Sequence, residues 1–174
     1  MRTASPTSGP LSTDDQRHLE AAQGWLILGD LIAADAELDN ITPLFRVHPD
    51  VLGVRWHVYS KAKKWDAAFE IARFYTGQLP DDAFGWIHQA YALRRMTGGG
   101  VKAAWDALLP AADKFPSQPM IAFNLACYAC QLGRLDEARE WLRKAMDLGD
   151  EKEIKTRALN YPDLEPLWAN IGKL

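Results

Sequence analysis

The sequence predicts an all-α chain: a solenoid of four helical hairpins, closed at its C-terminal end by further helices. Two observations carry that prediction. The first is the stretch from Phe123 to Gly149, FNLACYACQLGRLDEAREWLRKAMDLG. Leu125, Ala126, Ala129 and Leu132 lie three and four residues apart, which draws one apolar stripe along a helix. Leu135, Ala138, Leu142, Ala145 and Met146 do the same after the break at Leu132-Gly133-Arg134. Gly133 can take the left-handed conformation that ends one helix, and Asp136-Glu137 suits the positive amino end of the next. One hairpin cannot bury both of its faces alone, so it needs neighbours of its own kind.

The second observation is that such neighbours recur. Leu135, Val101, Trp65 and Leu31 form one apolar column, spaced 34, 36 and 34 residues apart. Ala138, Ala104, Ala68 and Ala34 form another at the same spacings, and Leu142, Leu108, Ala72 and Leu38 a third. A small residue in the second column lets paired helices approach closely. The two extra residues of the third unit fall at Gly98-Gly99-Gly100, where a longer turn leaves the helices in register. A helix–turn–helix period of 34 residues is the tetratricopeptide signature.

In order along the chain, helix one is predicted to start after Thr13, because Thr13 and Gln16 have capping-box spacing. It carries Leu19, Ala22, Trp25 and Leu26 as far as Gly29. The second helix takes Ile32 to about Phe45, and Pro49-Asp50 resets the chain. Leu52, Trp56 and Tyr59 mark the third helix, and the fourth runs from near Trp65 to Tyr75-Thr76-Gly77. Phe84, Trp86, Ile87, Ala90 and Leu93 mark the fifth. The sixth covers Val101 to Lys114 and should be kinked or shortened by Pro110, which removes a backbone bond. The seventh and eighth are the opening stretch. Glu151 to Leu159 can form one more helix, after which Asn160-Tyr161-Pro162 breaks the chain. Leu164, Leu167, Trp168 and Ile171 then have the spacing to cover the last apolar face, as a solenoid end requires. The expected organisation is a flexible leader over 1–13, four hairpins over 14–149 and capping helices over 150–174.

The chain resembles a bacterial tetratricopeptide-repeat protein of four repeats over about residues 14–149. Leu132-Gly133 with Asp136-Glu137-Ala138, and Leu28-Gly29 with Ala33-Ala34, match the family's turn and second-helix motif. Trp86 matches its first-helix aromatic, and Pro80 and Pro116 the proline after its second helix. The second repeat departs from the pattern, with Ala62-Lys63 at the turn, and the first has three more residues before Pro49. The segment after Asn160, with Asp163-Leu164-Glu165-Pro166-Leu167, resembles the closing segment that follows bacterial arrays of this kind. The resemblance implies a right-handed superhelix whose first helices line a concave groove, where extended peptides or partner helices bind.

Composition narrows the function classes. Hydrophobic residues make up 48% of the chain and charged ones 25%, as in a folded soluble domain. The net charge of −3 gives no bulk attraction to nucleic acid. No apolar run approaches the roughly 18–20 residues that span a bilayer. Met1 to Thr13 lacks the apolar segment of a secretory signal, so with two cysteines the expected compartment is the cytoplasm.

The repeat register names the groove candidates. They are His57 and Lys61, with Ser60, in the second repeat; His88, Tyr91, Arg94 and Arg95 in the third; and Asn124 and Gln131, with Cys127, in the fourth. Within each helix the members of a set share a face. Aromatic and basic side chains together suit an acidic or carboxylate-bearing peptide. The plain alternative is solvated polar residues opposite the packed face. Chaperone-binding members of the family clamp a carboxylate with lysine and asparagine over three repeats. The corresponding positions here are Leu19, Gln23, Val54, Phe84 and His88, or Gly53, His57, His88, Met120 and Asn124, and only Asn124 resembles the pattern. A heat-shock-protein clamp is not expected.

Cys127-Tyr128-Ala129-Cys130 has the form of a redox motif, but it lies mid-helix, where the field of the amino end has faded. Two reduced thiols packed as small apolar groups is the stronger reading. No second cysteine pair completes a zinc site, and the four histidines form no metal motif. Gly98-Gly99-Gly100 lacks the Lys-Ser/Thr of a phosphate loop. No catalytic constellation, metal or cofactor is expected. The resulting expectation is a non-catalytic adaptor or assembly scaffold for a protein or peptide. Its rivals are self-association through an end of the solenoid and a thiol redox protein using Cys127 and Cys130.

Overall fold

The computed structural model describes residues 9–172. Eight helices make four hairpins. These are α1 (Thr13–Leu28) with α2 (Leu31–Asn40), α3 (Pro49–Lys61) with α4 (Trp65–Gln78), α5 (Ala83–Leu93) with α6 (Val101–Lys114), and α7 (Pro119–Gln131) with α8 (Leu135–Leu148). Then follow α9 (Glu151–Leu159), a 3-10 segment at Pro162–Leu167 and the short α10 (Trp168–Ile171). Residues 1–8 of the expected leader, and Lys173 and Leu174 of the expected cap, lie outside the described residues. The chain is an all-α right-handed solenoid.

The three columns become three layers of one joint. Leu31, Trp65, Val101 and Leu135 are each the first residue of the second helix of a hairpin. One turn on, Ala34, Ala68, Ala104 and Ala138 have no exposed surface, and one turn further neither have Leu38, Ala72, Leu108 and Leu142. A methyl group is all the space between paired helices admits there. A larger side chain would have to push the backbones apart.

The hairpin turns need a left-handed residue. Gly29 (φ 85°) and Gly133 (φ 76°) supply it without steric cost in the first and fourth turns. In the second turn, where glycine is missing, Lys63 takes φ 57° instead.

Two boundaries differ from the sequence expectation, and α6 keeps its expected bounds without the shortening expected of Pro110. The cap of α1 is Ser12, one residue before Thr13: its Oγ accepts from the Asp15 N–H at 3.1 Å and donates to the Asp15 carboxylate at 2.7 Å. Asp15, only 3% exposed, also accepts the Thr42 N–H at 2.7 Å. That bond, with Ser12, holds its carboxyl below the usual range against the opposing effect of burial. The second helix ends at Asn40 and does not reach Phe45. Pro43 disfavours helix in the residue before it, and the Thr42 N–H is taken by Asp15, so the chain continues as a 3-10 segment at Pro43–Val47. Pro110 does not shorten α6, which runs to Lys114. Pro110 and Asp106, whose carbonyl loses its donor, are both exposed, so water can replace the missing bond.

At the C-terminal end Leu164, Leu167 and Ile171 are buried against the last hairpin and α9. The Trp168 indole N–H donates to the Ala158 carbonyl at 2.9 Å and fixes α10 on α9.

Candidate binding groove

The first helices of the hairpins and the closing segment together enclose a cavity of about 520 Å³. From α3 it takes Trp56, His57, Ser60 and Lys61; from α5, Ile87, His88 and Tyr91; from α7, Met120, Phe123 and Asn124. Trp65 at the start of α4, Arg157 of α9 and Tyr161 complete the lining. A second hollow, of about 330 Å³, lies between α1 and α3 and shares His57 with the first. Gln16, Gln23, Asp50 and Phe84 are among its lining residues.

Ring packing organises the cavity. The His88 ring stacks on Phe84 (centroids 3.8 Å, 24°) and meets Trp56 edge-on at 4.2 Å. Trp56 touches His57 and Tyr91 in the same edge-on way, at 5.2 and 5.9 Å. The His88 Nδ1 lies 2.8 Å from the Phe84 carbonyl. A carbonyl only accepts, so Nδ1 carries the proton and donates. Burial pushes the His88 pKa down to about 4, so the ring is neutral at pH 7. Partial burial, then the charge of Lys61, lowers that of His57 as well.

The charges are one-sided. No Asp or Glu lines the larger cavity, whereas Lys61 and Arg157 do. The Lys61 ammonium donates to the Leu26 carbonyl at 3.1 Å and has no ion-pair partner among the described residues. Arg157 is within 3.4 Å of Glu153, both of them exposed. The Arg95 guanidinium carbon lies over the Tyr91 ring (3.7 Å to the centroid) and 5.3 Å from the Trp65 ring centre. Asn124, 6% exposed, donates to the Met120 carbonyl at 2.7 Å.

Of the residues named from the register, His57, Ser60, Lys61, His88, Tyr91 and Asn124 converge on this cavity, and Arg95 lies against Tyr91 without lining it. Arg94 and Gln131 do not line it. The Arg94 guanidinium makes two bonds to the Asp163 carboxylate, one of them 2.6 Å, and Gln131 donates to the Asp163 carbonyl at 3.2 Å. Both therefore hold the closing segment. The register did not name Trp56 and Phe123, which read as packing residues. Arg157 and Tyr161 belong to no repeat, so no column could point to them.

Cys127 and Cys130 are buried, and burial pushes both thiols up, away from the thiolate at neutral pH. Among the described residues no group of three or more His, Cys, Asp or Glu could hold a metal ion. No helix among them is long and apolar enough to cross a membrane.

A concave face built from the first helices of stacked hairpins is the architecture of a tetratricopeptide-repeat solenoid. Solved structures of MamA share it. One, described as the MamA RS-1 ArsTM double mutant, has a TM-score of 0.64 at 19% identity, covering 78% of this chain and 75% of that one. MamA MSR-1 C2 has a TM-score of 0.62 at 20% identity, covering 80% and 79%. At these identities the likeness is one of fold. The chain matches no protein-family model and no curated protein.

Proposed function

We propose that this protein is a non-catalytic interaction module, an adaptor or assembly scaffold that holds an extended segment of a partner protein in its concave groove. The observation that carries the proposal is the ring-lined cavity shared by three successive repeats, with a second hollow on the other side of α3 that shares His57 with it. His57, Lys61, His88, Tyr91 and Asn124 are the contact residues, and Arg95 supports Tyr91 from behind. A concave, largely apolar surface with a few convergent polar groups is what ligand recognition requires. The two unpaired cysteines suit a reducing compartment, the cytoplasm.

Panning a displayed library of random dodecapeptides tests this. Peptides enriched on the wild type should weaken on both Tyr91→Ala and Lys61→Glu, each checked for unchanged helicity. Peptides insensitive to both variants, or no enrichment at all, would overturn the groove as the binding site.

A second reading rests on a different surface. At the α1–α2 turn Ile27, Leu28 and Ile32 are 82%, 76% and 86% exposed, which is unusual for three neighbouring aliphatic residues. Self-association through this tip predicts a mass that rises with concentration in sedimentation and returns to the monomer value in Ile27→Lys. A monomer at every concentration removes this reading.

A further inference from the structure

We infer that the larger cavity receives an aromatic side chain carried next to an aspartate or glutamate in the partner segment. This rests on the groove reading above and names the chemistry of its occupant.

The walls favour a ring. Trp56, Trp65, Tyr91, Phe123 and Tyr161 all border the cavity, and a planar group entering it can meet them edge-on or tilted, as they already meet one another. Ring-lined pockets also bind cations, and here the fixed charges oppose that. The chain's own Arg95 guanidinium already sits against the Tyr91 ring and near Trp65, so a second cation on these rings would meet like charge. No carboxylate on the lining would offset a bound positive charge.

The charges favour an acidic neighbour to that ring. Lys61 comes from α3, the first helix along the chain to line the cavity, and Arg157 from α9, the last, so cations come from both sides of the repeat order. In a chain of net charge −3, two cations with no lining carboxylate are a local reversal of sign. Arg157 has the exposed Glu153 beside it, which leaves Lys61 as the less neutralised of the two. His57 and His88 add no charge at neutral pH, since burial lowers both.

The occupant is a chain segment because the groove is longer than one side chain. A second hollow between α1 and α3 shares His57 with the cavity, and flanking residues of an extended segment can lie there.

The test uses fluorescence anisotropy with labelled, end-capped peptides and the full chain. One has the core Ser-Asp-Trp-Asp-Ser, one replaces Trp by Ala, and one replaces both Asp by Lys. The first should bind about tenfold or more tighter than either other, and its affinity should fall as salt rises. Lys61→Glu should weaken the acidic peptide and strengthen the lysine one, a reversal that simple damage to the fold would not produce. Equal or tighter binding of the lysine or alanine peptide to the wild type would overturn the inference, as would indole-3-acetate binding as tightly as the acidic peptide. Groove-dependent peptides from the display library that lack an acidic-aromatic pair would also sink it, while leaving the groove reading standing. Absence of any groove-dependent peptide sinks both.

Discussion

His88 should make this fold lose stability well before its carboxylates are protonated. In the folded chain the ring is neutral, stacked on Phe84 and edge-on to Trp56, with burial moving its pKa from 6.5 to about 4. In the unfolded chain it returns to the ordinary value, so between those limits the unfolded state binds the extra proton. The stability tied to the neutral ring is complete above about pH 6.5 and is lost progressively as the pH falls towards 4. Two titrations with these midpoints give a loss of roughly 2.5 kcal/mol between about pH 7.5 and about pH 4.5. His57, whose pKa is also lowered, adds to the loss with the same sign. Asp15 does not interfere, because its lowered pKa matters only below its ordinary value of 3.8. The assay is urea unfolding followed by circular dichroism at both pH values, for wild type and His88→Gln. The variant should be the less stable at the higher pH, and the gap should narrow by about 2 kcal/mol at the lower one. A gap unchanged by pH, or a His88 ring that titrates above about pH 6 by NMR, would refute the reasoning.

Three further outcomes follow from the packing. The Arg94–Asp163 pair is only 14% and 15% exposed, so Asp163→Asn and Arg94→Met in a double-mutant cycle should show a coupling of about 2 kcal/mol by urea unfolding. A coupling near zero would make the contact incidental to the closing segment. Gly85→Ala would place a Cβ 3.0 Å from the Thr76 backbone nitrogen where α5 crosses α4, and should cost about 1–3 kcal/mol in thermal or urea melts. Gly77→Ala, with nothing within 4 Å, is the control and should be neutral or slightly stabilising. Cys127 and Cys130, 0% and 4% exposed, should react with Ellman's reagent slowly in the native chain and quickly in urea. Prompt native reaction would show the α7 core to be open.

The stack was legible because solenoids write their packing as period. Four alanines in register mark four close crossings, and each lies at zero exposure. The turn glycines were legible for the same reason, since few other residues reach positive φ easily. Groove polarity was only half legible. Arg94 and His88 look alike from the register, both polar and on the first helix of the third repeat. One is engaged by Asp163, 69 residues later, and the other stays on the cavity. Side-chain type cannot reveal whether a polar group finds its partner inside its own chain. The closing segment was legible as a cover for apolar surface, yet nothing in its sequence marked Tyr161 and Arg157 as walls of the groove. The end of α2 was missed because a proline three residues on and a distant aspartate act together, and periodicity registers neither.

The buried core is shared unevenly along the array. Its largest cluster runs from Ala90 to Ile171, while the two clusters on the N-terminal side are much smaller. In a stack of near-neighbour contacts, opening spreads from the weaker end. Here the other end is also locked, because Asp163 reaches back to Arg94 and ties the chain's tail to its third repeat. The C-terminal half should therefore open as one block and α1–α2 fray first, with the slowest amide exchange in α7 and α8. A segment lying through both hollows would bridge the strong block and the weak one. Its arrival would be recorded most clearly as new protection in α1, the helix farthest along the chain from the ring-lined cavity.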